Sequence, residues 1–142
     1  MAMDWLSRRE HSQLELREKL AARDVDPGLI DATVEQLVAD GLVSDARFAE
    51  SFVGARMRRG QGPVRIRAEL KRRGVADALI EQHLYDPELD WRGCAAEVRR
   101  KKFGADLPAD FPSRAKQQRF LQYRGFTGEQ IRAAMGGRCA DD

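Results

Sequence analysis

The sequence repeats itself at a spacing of 50 and then 51 residues, which constrains the fold more than any single motif. Leu16, Leu20, Arg23, Val25, Ile30 and Val34 align with Ile66, Leu70, Arg73, Val75, Ile80 and Leu84 at a constant shift of 50 residues. At a shift of 51, Leu70, Arg73, Gly74, Val75, Ile80 and Leu84 are followed by Leu121, Arg124, Gly125, Phe126, Ile131 and Met135. A unit this short cannot build a sufficient core by itself, so its copies must stack on one another.

Each copy reads as helix. Sustained period-two alternation and Asn-Gly or Asp-Gly hairpin turns are missing from the sequence. Helix punctuation is dense instead. Ser12 with Glu15 and Thr127 with Gln130 have capping-box spacing, and Pro27 after Asp26 and Pro87 after Asp86 put proline at a first helical position behind an N-cap carboxylate. Gly41, Gly60, Gly74, Gly104 and Gly125 stand where helices should stop. Asp24 occupies the place of Gly74 and Gly125 in the first copy, and it is expected to adopt the same left-handed backbone at a small cost.

Between these marks apolar residues recur at helical spacing: Leu16 and Leu20; Ile30, Val34, Leu37 and Val38; Phe48, Phe52 and Ala55; Ile66 and Leu70; Cys94, Ala95 and Val98; Ile131 and Met135. The pattern predicts helices near Asp4 to Glu10, Ser12 to Ala22, Pro27 to Asp40, Asp45 to Arg59, Pro63 to Arg73, Asp77 to Leu84, Pro87 to Phe103, Pro112 to Arg124 and Gly128 to Met135. The expected fold is all-α, an elongated tandem array of three three-helix, helix-turn-helix-like repeats at 1–40, 41–86 and 87–136, with a disordered tail at 137–142. Such a row offers a long contact surface, better suited to a filament or groove than to a small molecule.

Charge is sorted along the chain, so the formal net charge of +2 understates it. Residues 1–55 hold six Lys/Arg against eleven Asp/Glu, whereas residues 56–73 hold eight against one. Residues 74–90 carry five acids and no Lys or Arg, and residues 91–105 carry five bases and one acid. If the fold gathers the two basic blocks, they form a polyanion-binding stripe. With 42% hydrophobic and 34% charged residues the chain can bury a core under a charged surface. A signal peptide and a membrane-spanning run are absent from the sequence, so the protein is expected in the cytoplasm, without a membrane partner.

The run Gly41-Leu42-Val43-Ser44-Asp45-Ala46-Arg47-Phe48-Ala49-Glu50-Ser51-Phe52, followed by Gly62-Pro63-Val64-Arg65-Ile66-Arg67-Ala68-Glu69-Leu70-Lys71-Arg72-Arg73-Gly74-Val75, resembles the core signature of the RecX family. Arg8-Arg9-Glu10-His11-Ser12 and Leu16-Arg17-Glu18-Lys19-Leu20 are similar to that family's first repeat. Arg100-Lys101-Lys102-Phe103-Gly104 and Arg119-Phe120-Leu121-Gln122-Tyr123-Arg124-Gly125-Phe126 are similar to its third. The resemblance implies a tandem three-helix fold and a non-enzymatic regulator that binds RecA protein and its DNA filament. It further implies inhibition of recombinase, ATPase and filament-extension activity, modulation of homologous recombination, DNA repair and the SOS response, and binding to single- and double-stranded DNA. A monomer is expected in preference to a dimer.

For DNA or RecA binding the candidate residues are Arg56, Arg58 and Arg59 at one helix end, Arg65, Arg67, Lys71 and Arg72 on the next helix, and Arg99, Arg100, Lys101 and Lys102 in the second basic block. Contacts from Arg and Lys to phosphate give affinity without sequence reading. Arg67 and Lys71 flank the buried face set by Ile66 and Leu70 on one side, Arg65 and Arg72 on the other. A solvated face is the plain alternative for these runs, and for Arg99 to Lys102 so is support of the helix dipole. Arg47, one turn into its helix, is expected to find a carboxylate rather than a ligand. Trp5, Trp91, Phe103, Phe120, Tyr123 and Phe126 are expected in the core; base stacking by Tyr123 has no support in the sequence.

Metal, cofactor and catalytic sites are not expected. His11 and His83 have no second ligand at metal spacing, Cys94 and Cys139 read as two free thiols, and neither a phosphate loop nor a nucleophile with its base is discernible. The alternative reading is a general, sequence-independent nucleic-acid-binding helix-turn-helix module.

Overall fold

A computed structural model describes residues 1–136, and among them every regular element is α-helical. In order they are α1 (Ala2–Arg8), α2 (Gln13–Ala22), α3 (Pro27–Ala39), α4 (Asp45–Arg58), α5 (Pro63–Arg72), α6 (Asp77–Leu84), α7 (Trp91–Phe103), α8 (Phe111–Arg124) and α9 (Gly128–Ala134). The expected tail and Cys139 lie outside the described residues. No helix among the described residues is long and apolar enough to cross a membrane.

Local chemistry sets the ends. Both capping boxes form in full, Ser12 with Glu15 and Thr127 with Gln130. Gly41, Gly60, Gly74, Gly104 and Gly125 all take positive φ, and Asp24 joins them at φ 59°, the left-handed stop expected of it. Two boundaries differ from expectation. The first helix covers Ala2–Arg8 and not Asp4 to Glu10. Pro87 does not start α7: Asp86 Oδ1 accepts from Glu88 N, closing an Asx-turn, and the helix begins at Trp91 behind Asp90, whose carboxylate accepts from Gly93 N.

The described chain divides into two compact units, one of residues 1–53 and 69–83, the other of 54–68 and 84 onward. In the first, α2 packs on α3 around Leu16, Leu20, Ile30, Val34, Leu37 and Val43, with Trp5 and Val25 against this cluster. Val38, expected in the core, is exposed. The unit also contains an ionic knot. Glu15 accepts from both Arg9 Nη groups at 3.2 and 3.1 Å, from Ser12 N at 3.0 Å and from Arg73, while Arg47 reaches Glu10 at 3.2 Å. Arg47 thus has the carboxylate partner its position calls for.

In the second unit α7 packs mainly on α9 and also on α8, burying Trp91, Ala95, Leu121, Phe126, Ile131 and Met135. The Trp91 indole N–H donates to Leu84 O at 2.7 Å, so its ring is buried with its polar atom satisfied. The repeated arginine has one structural role in all three copies, which is to lie over an aromatic ring. Arg23 sits 5.9 Å from Trp5, Arg73 5.4 Å from Phe52 and Arg124 5.3 Å from Phe120.

A cationic groove as candidate functional site

Two basic blocks far apart in sequence meet within the second unit. The C-terminal end of α4 supplies Arg58 and Arg59, the last turn of α7 supplies Lys101 and Lys102, and α8 supplies Arg124. Together with Met57, Gly60, Cys94, Val98 and Phe120 they line an open groove of about 370 Å³, in which Glu97 is the sole acid among the described residues. The volume falls at the small end of the range for ligand sites.

The sequence explains why these ends are cationic and close. Helix C-termini present unsatisfied carbonyls that favour Lys and Arg, so α4 and α7 both finish in bases. Gly60 turns the chain at φ 82°, close against Val98 of α7, and Arg124 Nη1 donates to Arg59 O at 3.3 Å. Lys102 and Arg124 both lie over the Phe120 ring, at 5.7 and 5.3 Å.

Glu97 shares its carboxylate between Arg100, which does not line the groove, and Lys101, which does, at 3.9 Å. Hydrogen bonds from Arg100 at 3.1 and 2.6 Å hold its carboxyl below the usual carboxylate range, and the same contacts raise Arg100. Burial, and then the Asp90 carboxylate, push the Cys94 thiol above its ordinary value, so it is a poor nucleophile. Groups of three or more potential metal ligands are absent among the described residues. The arrangement suits holding an anion.

The remaining candidates are distributed differently. Arg56 is half-buried and does not line the groove. Arg65 lies 5.7 Å from the ring of Tyr123, and Arg67 donates to Tyr85 Oη at 2.7 Å. Lys71 and Arg72 belong to the first unit; Lys71 forms an exposed ion pair with Asp77 at 3.4 Å, and Arg72 reaches the largely buried Glu69 carboxylate at 3.9 Å. An exposed pair such as that of Lys71 is weak enough to exchange for a phosphate.

Arg99 has to be withdrawn as a surface contact. It is 5% exposed, and its guanidinium donates to Ala105 O, Asp106 O and Gln117 Oε1 at 3.2 to 3.4 Å. It ties down the segment after α7 and cannot reach a partner. Tyr123 is a second correction: placed in the core by its aromatic character, it is 77% exposed. Sequence reasoning missed Arg124 and Phe120 as parts of the groove. Their i, i+4 spacing, with Arg124 in the repeated arginine column, was the available signal.

Three family models match the chain in order: the first three-helix domain of RecX over residues 1–37, the second over 44–84 and the third over 94–135. Regulatory protein RecX of Halorhodospira halophila is 50% identical over 141 residues, covering 99% of this chain and 88% of the relative. Regulatory protein RecX of Pseudomonas savastanoi pv. phaseolicola is 48% identical over 99% of this chain and 91% of its own. Among solved structures, RecX from Lactobacillus salivarius superposes with a TM-score of 0.78 at 23% identity, covering 95% of this chain and 90% of that one. At that identity the likeness is one of fold.

Proposed function

The chain belongs to the RecX family of regulatory proteins, and on that footing we propose that it binds the recombinase RecA and its DNA filament in the cytoplasm. There it inhibits recombinase, ATPase and filament-extension activity, and so modulates recombinational DNA repair and the SOS response. It acts as a monomer and by binding, without a catalytic step of its own.

The observation that carries this reading is the convergence of residues 58–59 and 101–102 with Arg124 on one groove, in a chain of this family. Five cations against one paired acid attract a polyanion, either the phosphates of the filament's DNA or an acidic protein surface. Lys71 and Arg72 in the first unit, and Arg65 and Arg67 in the second, extend the set of residues available to such a partner.

A preformed RecA filament with no free DNA sites tests the proposal. The chain is expected to bind it and stop its extension, and reversing Arg58, Arg59, Lys101 and Lys102 to Glu is expected to abolish this. A general DNA-binding module would act only by competing for DNA and would leave such a filament untouched.

A further inference from the structure

Tyr123 is a large aromatic side chain left 77% exposed beside the groove. It lies three residues after Phe120, a groove-lining residue, so the two share a side of α8. Its ring is held from one side by the Arg65 guanidinium, 5.7 Å from the ring centre. That contact is built in by backbone. Gly62 N donates to Arg124 O at 2.8 Å and Val64 N to Gly125 O at 2.9 Å, pinning the start of α5 on the end of α8. The approach is so close that a Cβ on Gly62 would come within 2.4 Å of Gly125 C, and one on Gly125 within 2.8 Å of Arg65 N.

An exposed ring, cationic on one side and open on the other, next to a cationic groove, is the combination that binds an unpaired base and its phosphates together. The ring stacks on the base while the groove takes the backbone. In a duplex the base faces are already stacked on each other, so only a single strand can use the ring. A protein partner would also use Tyr and Arg. An exposed ring beside five cations matches the base and phosphate that every nucleotide carries together, and this pairing favours the nucleic acid.

We propose that Tyr123, braced by Arg65, is a base-stacking platform at the edge of the groove, and that it gives the second unit a preference for single-stranded over double-stranded nucleic acid. This rests on the groove's reading as a phosphate site, and the test separates the two.

Binding of fluorescein-labelled oligothymidylate and of a duplex of equal length is measured by anisotropy across a salt series, using the full chain. Tyr123→Ala is expected to weaken oligothymidylate binding at least about fivefold, the lower end of one lost base stack, with duplex affinity and salt slope unchanged. Tyr123→Phe, which keeps the ring, is expected to bind as the parent does. If Tyr123→Ala binds both probes as the parent does while the pair Arg58→Glu and Lys102→Glu loses both, the platform is wrong and the phosphate groove stands. If neither variant changes binding, both readings fall. A Tyr123→Ala chain that keeps DNA affinity but loses affinity for RecA protein makes the ring a protein contact and overturns the platform.

Discussion

Glu15 is buried with three sets of donors aimed at one carboxylate, and its titration records the balance. Burial pushes its pKa up, but the Arg9 hydrogen bonds, the Ser12 amide and the Arg73 charge together hold it below the ordinary 4.5. A carboxyl depressed in the folded state stabilises above its unfolded value, and that stability is lost as pH falls through the folded one. Glu15→Gln is therefore expected to be less stable than the parent at pH 7, by about 1 to 3 kcal/mol. Urea unfolding should show the gap closing as pH falls below 4.5; a gap that stays constant would contradict the ionic role. His11 adds an earlier acid sensitivity. Its buried ring satisfies both neighbours when neutral, Nδ1–H donating to Arg9 O at 3.1 Å and Lys19 donating to Nε2 at 2.9 Å. Desolvation by burial lowers its pKa from 6.5, so stability begins to fall once pH drops below that value. Arg99 gives a prediction of a different kind. Because its cation is turned inward, Arg99→Met is expected to lower thermal stability while leaving DNA affinity unchanged, unlike any exposed arginine of the groove.

Helix ends carry much of what positions the groove, and they divide into those the sequence discloses and those it hides. Capping boxes, glycine stops and the left-handed Asp24 are local devices, so they can be read from neighbouring residues. Pro87 misleads for the same local reason, since Asp86 can cap a helix or close an Asx-turn and only the competing cap at Asp90 decides. The crossing of α5 on α8 is not local. Gly62 meets Gly125 across more than sixty residues of chain, and nothing near either glycine announces it. Gly62→Ala puts a methyl group against backbone and is expected to destabilise the second unit by at least about 1 to 3 kcal/mol. Ala in place of Gly28, whose Cβ would meet nothing, is expected to be tolerated. Thermal unfolding of the two variants makes the comparison.

For the molecule as a whole, the repeat disclosed the fold because a 50-residue period in the apolar pattern leaves few alternatives to stacked three-helix modules. The same period could not say which cations share a surface. Arg99 and Lys101 are two residues apart, yet one is buried and the other lines the groove, because successive helix positions face different ways. If the groove holds phosphates, raising salt should weaken DNA binding steeply, and each phosphate contact removed by reversing Arg58, Arg59, Lys101 or Lys102 to Glu should lower the log–log salt slope by about one. The most direct test of the account is RecA-driven ATP hydrolysis on single-stranded DNA with this chain titrated in below one copy per RecA. The parent is predicted to inhibit at substoichiometric ratios, and the chain with all four reversals to fail to do so. Equal inhibition by both, or inhibition only at stoichiometric ratios, would contradict it.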